Sequence, residues 1–119
     1  MELRIRLDEA RGHVEIEFWV DDALVGQVRL AAADVDEHLR TMAALRAQMA
    51  DVVPEALEPN ARLLTERDPK WVLGQNPAQD RFLLALRHAG LGWLGFALPG
   101  GEARAIAEMV LNSDPEPSE

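Results

Sequence analysis

Apolar and polar residues alternate along the first thirty positions. In "LRIRLD", Leu3, Ile5 and Leu7 fall on one side and Arg4, Arg6 and Asp8 on the other. In "HVEIEFWV", Val14, Ile16, Phe18 and Val20 oppose His13, Glu15, Glu17 and Trp19. A two-residue period marks strands with one buried face. "EARG" and "DDA" read as turns, and "LVGQVRLA" supplies a third strand with Leu24, Val28 and Leu30 on the core side. Strands joined by such short turns form a meander. Arg on one outer face and Glu on the next suit antiparallel neighbours.

The period then lengthens. Val35, Leu39, Met42, Leu45 and Met49 in "DVDEHLRTMAALRAQM" are spaced by three and four, which predicts a helix with one apolar stripe. Asp34 is the expected cap, with Glu37 completing a capping-box pair, and Pro54 the expected stop. Residues 51–69 hold Pro54, Pro59 and Pro69 and read as a long surface connection with one short turn near Pro54–Leu57. "KWVLGQ", "RFLLALRH" and "WLGFALP" follow as strands, and "NPAQD" as a turn. "GEARAIAEMVLN" closes as a helix with Ala103, Ile106, Ala107 and Val110 on its stripe, stopped by Asn112 and Pro115. The predicted fold is α+β. It is an antiparallel sheet of about six strands with two helices on one face, in the order βββαβββα. A single domain is expected over residues 1–112, with a disordered acidic tail over 113–119.

Five of the eight glycines fall between Arg87 and Gly101, in "RHAGLGWLGFALPGG". Gly90, Gly92 and Gly95 have the offsets of a dinucleotide-binding fingerprint, but that motif must open a helix. Trp93, Leu94, Phe96 and Leu98 alternate onward as a strand, so a hairpin is expected instead, with Gly95 at a bulge or a close backbone approach. "LALRHAGLGWLGFALPGGEARAIAEMVL" resembles the C-terminal part of a family of short, uncharacterised bacterial proteins with an Arg-His-Pro-Gly-x-Gly-Trp pattern. "LRAQMADVVPEAL" and "DPKW" are similar to their helix end and later strands, so the likeness covers about half the chain. Ala89 stands where that pattern has Pro. The resemblance implies no activity. It does imply that Arg87, His88 and Trp93 belong together.

Composition narrows the chemistry. At 119 residues the chain suits one domain. It has no cysteine, which excludes disulfides, thiolate metal sites and a Cys nucleophile. Its serines are Ser113 and Ser118, both in or near the tail, and it has no tyrosine, so serine hydrolase chemistry is not expected. The net charge is −9, with thirteen acids against six bases in residues 1–60 and eight against six in residues 61–119. That surface repels phosphate backbones, so nucleic acid is not an expected partner. The N-terminal stretch has no apolar signal-peptide core, and no run of about 20 apolar residues offers a membrane span. A cytoplasmic location is expected. Asp34, Asp36, Glu37 and His38 point around most of one helical turn, so helix capping and dipole charges account for them and no metal or other cofactor is expected.

The tryptophans point to association. Trp19 and Trp93 lie opposite the core residues of their strands, and Leu83 and Ala85 share the face of Trp93, with Trp71 expected to join them. On a sheet backed by helices on one side, Trp19, Trp71, Leu83, Ala85 and Trp93 would form an apolar patch facing water, the mark of a contact surface. A symmetric homodimer through this face is the expectation, against a rival in which residues 51–69 fold back over it. The expected function is a non-catalytic protein-interaction module. The alternative is a small-molecule site at Arg87, His88 and Trp93, with His88 as acid–base and Arg87 as anion clamp.

Overall fold

A computed structural model of the chain describes residues 1–114. The tail expected from residue 113 lies outside the described residues from residue 115 onward. The order of elements is the predicted βββαβββα: β1 (Glu2–Leu7), β2 (His13–Val20), β3 (Ala23–Ala31), α1 (Ala32–Arg46), β4 (Trp71–Asn76), β5 (Arg81–His88), β6 (Gly92–Pro99) and α2 (Gly100–Leu111). The strands do not form one sheet. They form two antiparallel sheets, ordered β1-β2-β3 and β4-β5-β6, and the chain divides into two compact units, one of Met1–Ala61 and one from Arg62 onward. The reason is local. Every ladder is a hairpin between strands consecutive in sequence. Periodicity specifies a strand and its hairpin partner, but not which edges pair over a long connection.

In the first unit, cross-strand pairing aligns Leu3 with Phe18, Ile5 with Ile16 and Leu7 with Val14, then Val14 with Leu30 and Ile16 with Val28. Directly paired residues share a face, so this is the apolar face. Arg4 with Glu17, Arg6 with Glu15 and Glu15 with Arg29 make the other face charged. Leu24 does not join the apolar row as expected. Phe18 pairs with Gly26 and Trp19 with Leu24, so Val25 is one residue extra and the ladder bulges there. One added residue reverses the faces beyond it, which moves Leu24 beside Trp19.

The second unit pairs Leu73 with Leu84, Trp71 with Leu86, Phe82 with Leu98, Leu84 with Phe96 and Leu86 with Leu94, giving one strongly apolar face. The opposite face is also apolar, but smoother: Val72 and Gly95 flank Ala85, and Gly74 and Ala97 flank Leu83. Gly95 keeps the register without a bulge. A methyl there would lie 3.4 Å from Leu83 Cδ1, so the close approach is made by a side chain.

Each helix lies on the larger apolar face of its own sheet. Val35 of α1 lines an open trough with Leu7, Val14 and Leu30. Ala103, Ile106 and Ala107 of α2 line another with Leu73, Phe82, Leu84 and Leu98. Asp34 is not the cap of α1. The chain passes from β3 into the helix at Ala31 without a turn, and Asp34 sits inside the first turn, where its charge still favours the helix dipole. The helix ends at Arg46, well before Pro54, and Arg46 reaches on to the Asp51 carbonyl. Residues 47–70 hold no helix or strand; beyond the turns that close α1 at Gln48 and Met49, a hydrogen-bonded turn runs from Glu58 to Ala61, later than expected.

Two local features position the elements. Asp80 is in the left-handed region at φ 47°, accepts the Gly100 N–H at 2.8 Å through its carbonyl, and pairs with Arg104 at 2.9 Å through its carboxylate. A Cβ on Gly100 would overlap that carboxylate, so a larger residue there would displace Asp80 from its pairing with Arg104. Asp21 and Asp22 form a two-residue hairpin loop with φ of 48° and 63°. Positive φ at both centres is the demand of a type I′ turn, which prefers Asn-Gly. Left-handed backbone costs an ordinary L-residue about 1–2 kcal/mol. The double variant Asp21→Asn/Asp22→Gly is expected to raise stability by about 1 kcal/mol in urea titration. No change, or a loss, would show that this turn is not held as described.

Candidate functional site

The seven residues singled out by sequence are distributed over three surfaces. Trp19 lies on the charged face of the first sheet. Its indole N–H donates to Glu17 Oε1 at 3.3 Å, and the Arg4 guanidinium stacks 4.2 Å from its ring centroid. Arg6 bridges Glu15 and Glu17 at 3.3 Å each, and Arg29 reaches Glu15 at 3.7 Å. Glu17 is only 8% exposed beneath these groups. The face expected to carry an apolar patch around Trp19 is an ion ladder instead.

Leu83, Ala85 and Trp93 share the smooth face of the second sheet, on the side away from α2, and Arg87 pairs across from Trp93. Trp71 does not join them. Its pairing with Leu86 sets it beside Leu73 on the face that carries α2. The register between β4 and β5 decides this, and it cannot be counted from either strand alone. The connection does fold back, but onto the other side: Leu64, Glu66 and Pro69 line a trough with Leu86, Leu94 and Phe96. These three are residues of the α2-bearing face.

Arg87 and His88, as neighbours in a strand, point to opposite faces. His88 Nδ1 accepts the N–H groups of Gly90 and Leu91, each at 3.0 Å. Its lone pair is therefore committed to the turn, and the ring proton sits on Nε2. Glu66 Oε1 lies 3.8 Å from Nδ1, but it is engaged at 2.6 Å with the Ala89 N–H. Gly92 takes φ 79°, so Ala89, Gly90 and Leu91 form a three-residue loop closed by a left-handed glycine. The histidine is a turn brace here. Glu66, which accepts the Ala89 N–H, is the contact to this turn that sequence reasoning missed, because it lies 23 positions earlier in the chain.

A second polar cluster, also missed, closes the turn between β1 and β2. Asp8 Oδ1 accepts Gly12 N–H at 2.8 Å and His13 N–H at 3.2 Å, and Oδ2 lies 3.2 Å from both His13 Nδ1 and Arg29 Nη2. The available signal was an Asp four residues before Gly at a strand end, the setting of a side-chain-capped turn. Burial pushes the Asp8 carboxyl up, but the hydrogen bonds from His13 backbone and ring, Gly12 and Arg29 outweigh it and hold the group below the usual carboxylate range.

Among the described residues, no cluster of three or more His, Asp or Glu is arranged to hold a metal ion, and no helix is long and apolar enough to cross a membrane. Comparison with family models, with curated proteins and with solved structures finds no match to this chain.

What remains prominent is exposed apolar surface. No hydrophobic side chain among the described residues is buried. In the first unit α1 lies chiefly over β3 and β2, and Leu3, Ile5 and Leu7 of β1 stay exposed, Ile5 at 66%. In the second, α2 lies chiefly over β6 and β5, and Trp71 and Leu73 of β4 stay exposed, Trp71 at 65%. Each helix lies mainly over two strands of three and leaves much of the first exposed.

Two expectations follow from the polar clusters. A carboxylate with a depressed folded pKa contributes stability above its ordinary value, lost as pH falls through the depressed one. Asp8→Asn should therefore unfold more easily than the parent at neutral pH, and the two should converge in strong acid. A gap that persists there would assign the effect to packing. His88→Ala should cost about 1 kcal/mol by removing an acceptor from two N–H groups. His88→Asn, whose Oδ1 occupies the place of Nδ1, should recover most of it. Equal losses in a denaturant series would refute the brace.

Proposed function

We propose that this protein is a non-catalytic protein-interaction module that works as a homodimer, held through its exposed apolar sheet and helix surfaces. The observation that carries this reading is exposure: no hydrophobic side chain among the described residues is buried, and large apolar side chains of both units stand open.

The composition of that surface supports the same reading. Exposed leucine, isoleucine, valine, methionine and tryptophan side chains occur in both units. Burying one such side chain stabilises by about 1.5–3 kcal/mol. A fold of this size has only about 6–18 kcal/mol of net stability. A handful of uncovered side chains is therefore comparable with the whole stability, and association is the available source. Size, acidity and the sequence's shortage of nucleophiles accord with a binding role.

Light scattering on the purified chain at micromolar concentrations is expected to return twice the chain mass of 13.2 kDa. The unfolding temperature should rise with protein concentration, because association stabilises only the folded form. A 13.2 kDa particle with a concentration-independent transition would overturn the proposal.

A further inference from the structure

We infer that the outer face of the second sheet, turned away from α2, docks an extended acidic segment of another protein, with one carboxylate at each end of the face and small side chains between. This rests on the reading of the chain as an interaction module, not on the homodimer. The charges carry it. β4, β5 and β6 contain no acidic residue, and their two arginines, Arg81 and Arg87, both fall on this face. The Arg87 N–H donates to the Lys70 carbonyl at 3.0 Å, which carries the ladder one residue beyond β4 and sets Lys70 across from Arg87. None of the ion pairs among the described residues involves Lys70, Arg81 or Arg87. On the first sheet each strand arginine has an acid: Arg4 has Glu2, Arg6 has Glu15 and Arg29 has Asp8. In a chain of net charge −9, a face with cations alone attracts an anionic group where the chain as a whole repels one.

The spacing defines the segment. Arg87 lies six positions beyond Arg81 on β5, about 20 Å of strand. Between them Leu83 and Ala85 are flanked by Val72, Gly74, Gly95 and Ala97, a floor low enough for a second backbone to approach. A segment laid along β5 has the same rise, and its alternate residues face the sheet. Acids six positions apart then meet the two arginines, and the two intervening inward residues rest on Ala85 and Leu83. Trp93, 52% exposed and paired across from Arg87, walls one end. At the other, Asn76 and Gln79 line a trough with Arg81, where their amides can donate to the second oxygen of a carboxylate.

A second copy of this face is the wrong occupant. Laying two such faces strand on strand sets arginine near arginine, with no acid on either to offset the repulsion. A nucleic acid has the right sign but the wrong extent, because its repeating phosphates run on past the face along a chain of net negative charge. The face spans roughly 300 Å² in projection, enough for one extended segment and too little for a folded domain.

The probe is an acetylated, amidated peptide, Glu-Ser-Ala-Ser-Ala-Ser-Glu, titrated calorimetrically into the full chain at low salt. Binding is expected to saturate and to weaken as salt is raised. Arg81→Ala and Arg87→Ala should each lower the affinity about two- to fivefold, as for exposed ion pairs. A peptide of the same composition with its acids three positions apart, turned to opposite sides, should bind several-fold more weakly. In a Trp19→Phe/Trp71→Phe background, Trp93 is the only indole, and its emission should move blue as the peptide binds. No saturable binding, equal binding of the two peptides, or unchanged affinity in both arginine variants would overturn the inference. So would tighter binding of a single-stranded oligothymidylate than of the peptide. Particle mass decides the dimer separately. A monomeric parent that binds the peptide removes the dimer and leaves this inference standing. A dimer whose mass Leu83→Glu halves uses this face as its own seam, and the inference falls while the dimer stands.

Discussion

Three strands and one helix make a unit whose cover is narrower than its floor. That mismatch governs the rest of the molecule. A three-stranded sheet needs cover over about 15 Å of width once side chains are included, and one helix supplies about 10 Å. Both units repeat the arrangement, and in both the strand left over is the first. The cause is connectivity. A helix that starts directly at the end of the third strand, as at Ala31 and Pro99, has no linker with which to reach across the sheet. It settles over the strands beside it. The hydrophobic residues of β1 and β4 are therefore as exposed as they would be at an interface, though by pattern they are core residues.

The turns and the charged face show what holds such open units together. Arg11, Asp21, Asp22, Asp68 and Asp80 all take positive φ, while Gly92 is the one glycine among the described residues that does. Aspartate tolerates this conformation better than most residues because its short side chain satisfies nearby backbone groups. Asp8 holds a backbone junction through its carboxylate, whereas Asp80 holds one through its backbone carbonyl and turns its carboxylate to Arg104. On the first sheet, Arg4, Arg6 and Arg29 lie over Glu15, Glu17 and Trp19, so Glu17 is better shielded than any leucine of the opposite face. Exposed ion pairs are worth little individually. Arranged as a ladder across three strands they also favour one register, since a slip by one residue would bring apolar side chains among the charges.

Much of this was legible in the residues. Alternation located all six strands, because a two-residue period is a direct geometric signature, and the stripe from Val35 to Leu45 located α1. The failures share a cause. Leu24 was misplaced by a single extra residue at Val25, and Trp71 by the unknown register of β4 against β5. Each is a parity error, and parity depends on the partner strand rather than on the strand itself. The single six-stranded sheet failed for the same reason at larger scale, because edge pairing leaves no periodic trace. Asp34 was read as a cap where the strand runs straight into the helix. Of the candidate site, the placement of Leu83, Ala85 and Trp93 on one face followed from alternation. The tie from Glu66 to the Ala89 N–H did not, since nothing local links them.

The two sheets differ in a way that bears on what the molecule presents to its surroundings. The outer face of the first is closed by charge, and an ion ladder of that kind resists burial because desolvating it costs more than its pairing returns. The outer face of the second has Gly74, Ala85, Gly95 and Ala97 around Leu83, with arginines only at its ends. Nothing on it opposes burial, and its smoothness suits another flat surface. The chain's negative charge falls mainly on the first unit, with thirteen of its twenty-one acids in the first sixty residues. Charge therefore keeps the first unit's outer face in water, while the second unit keeps a neutral one open.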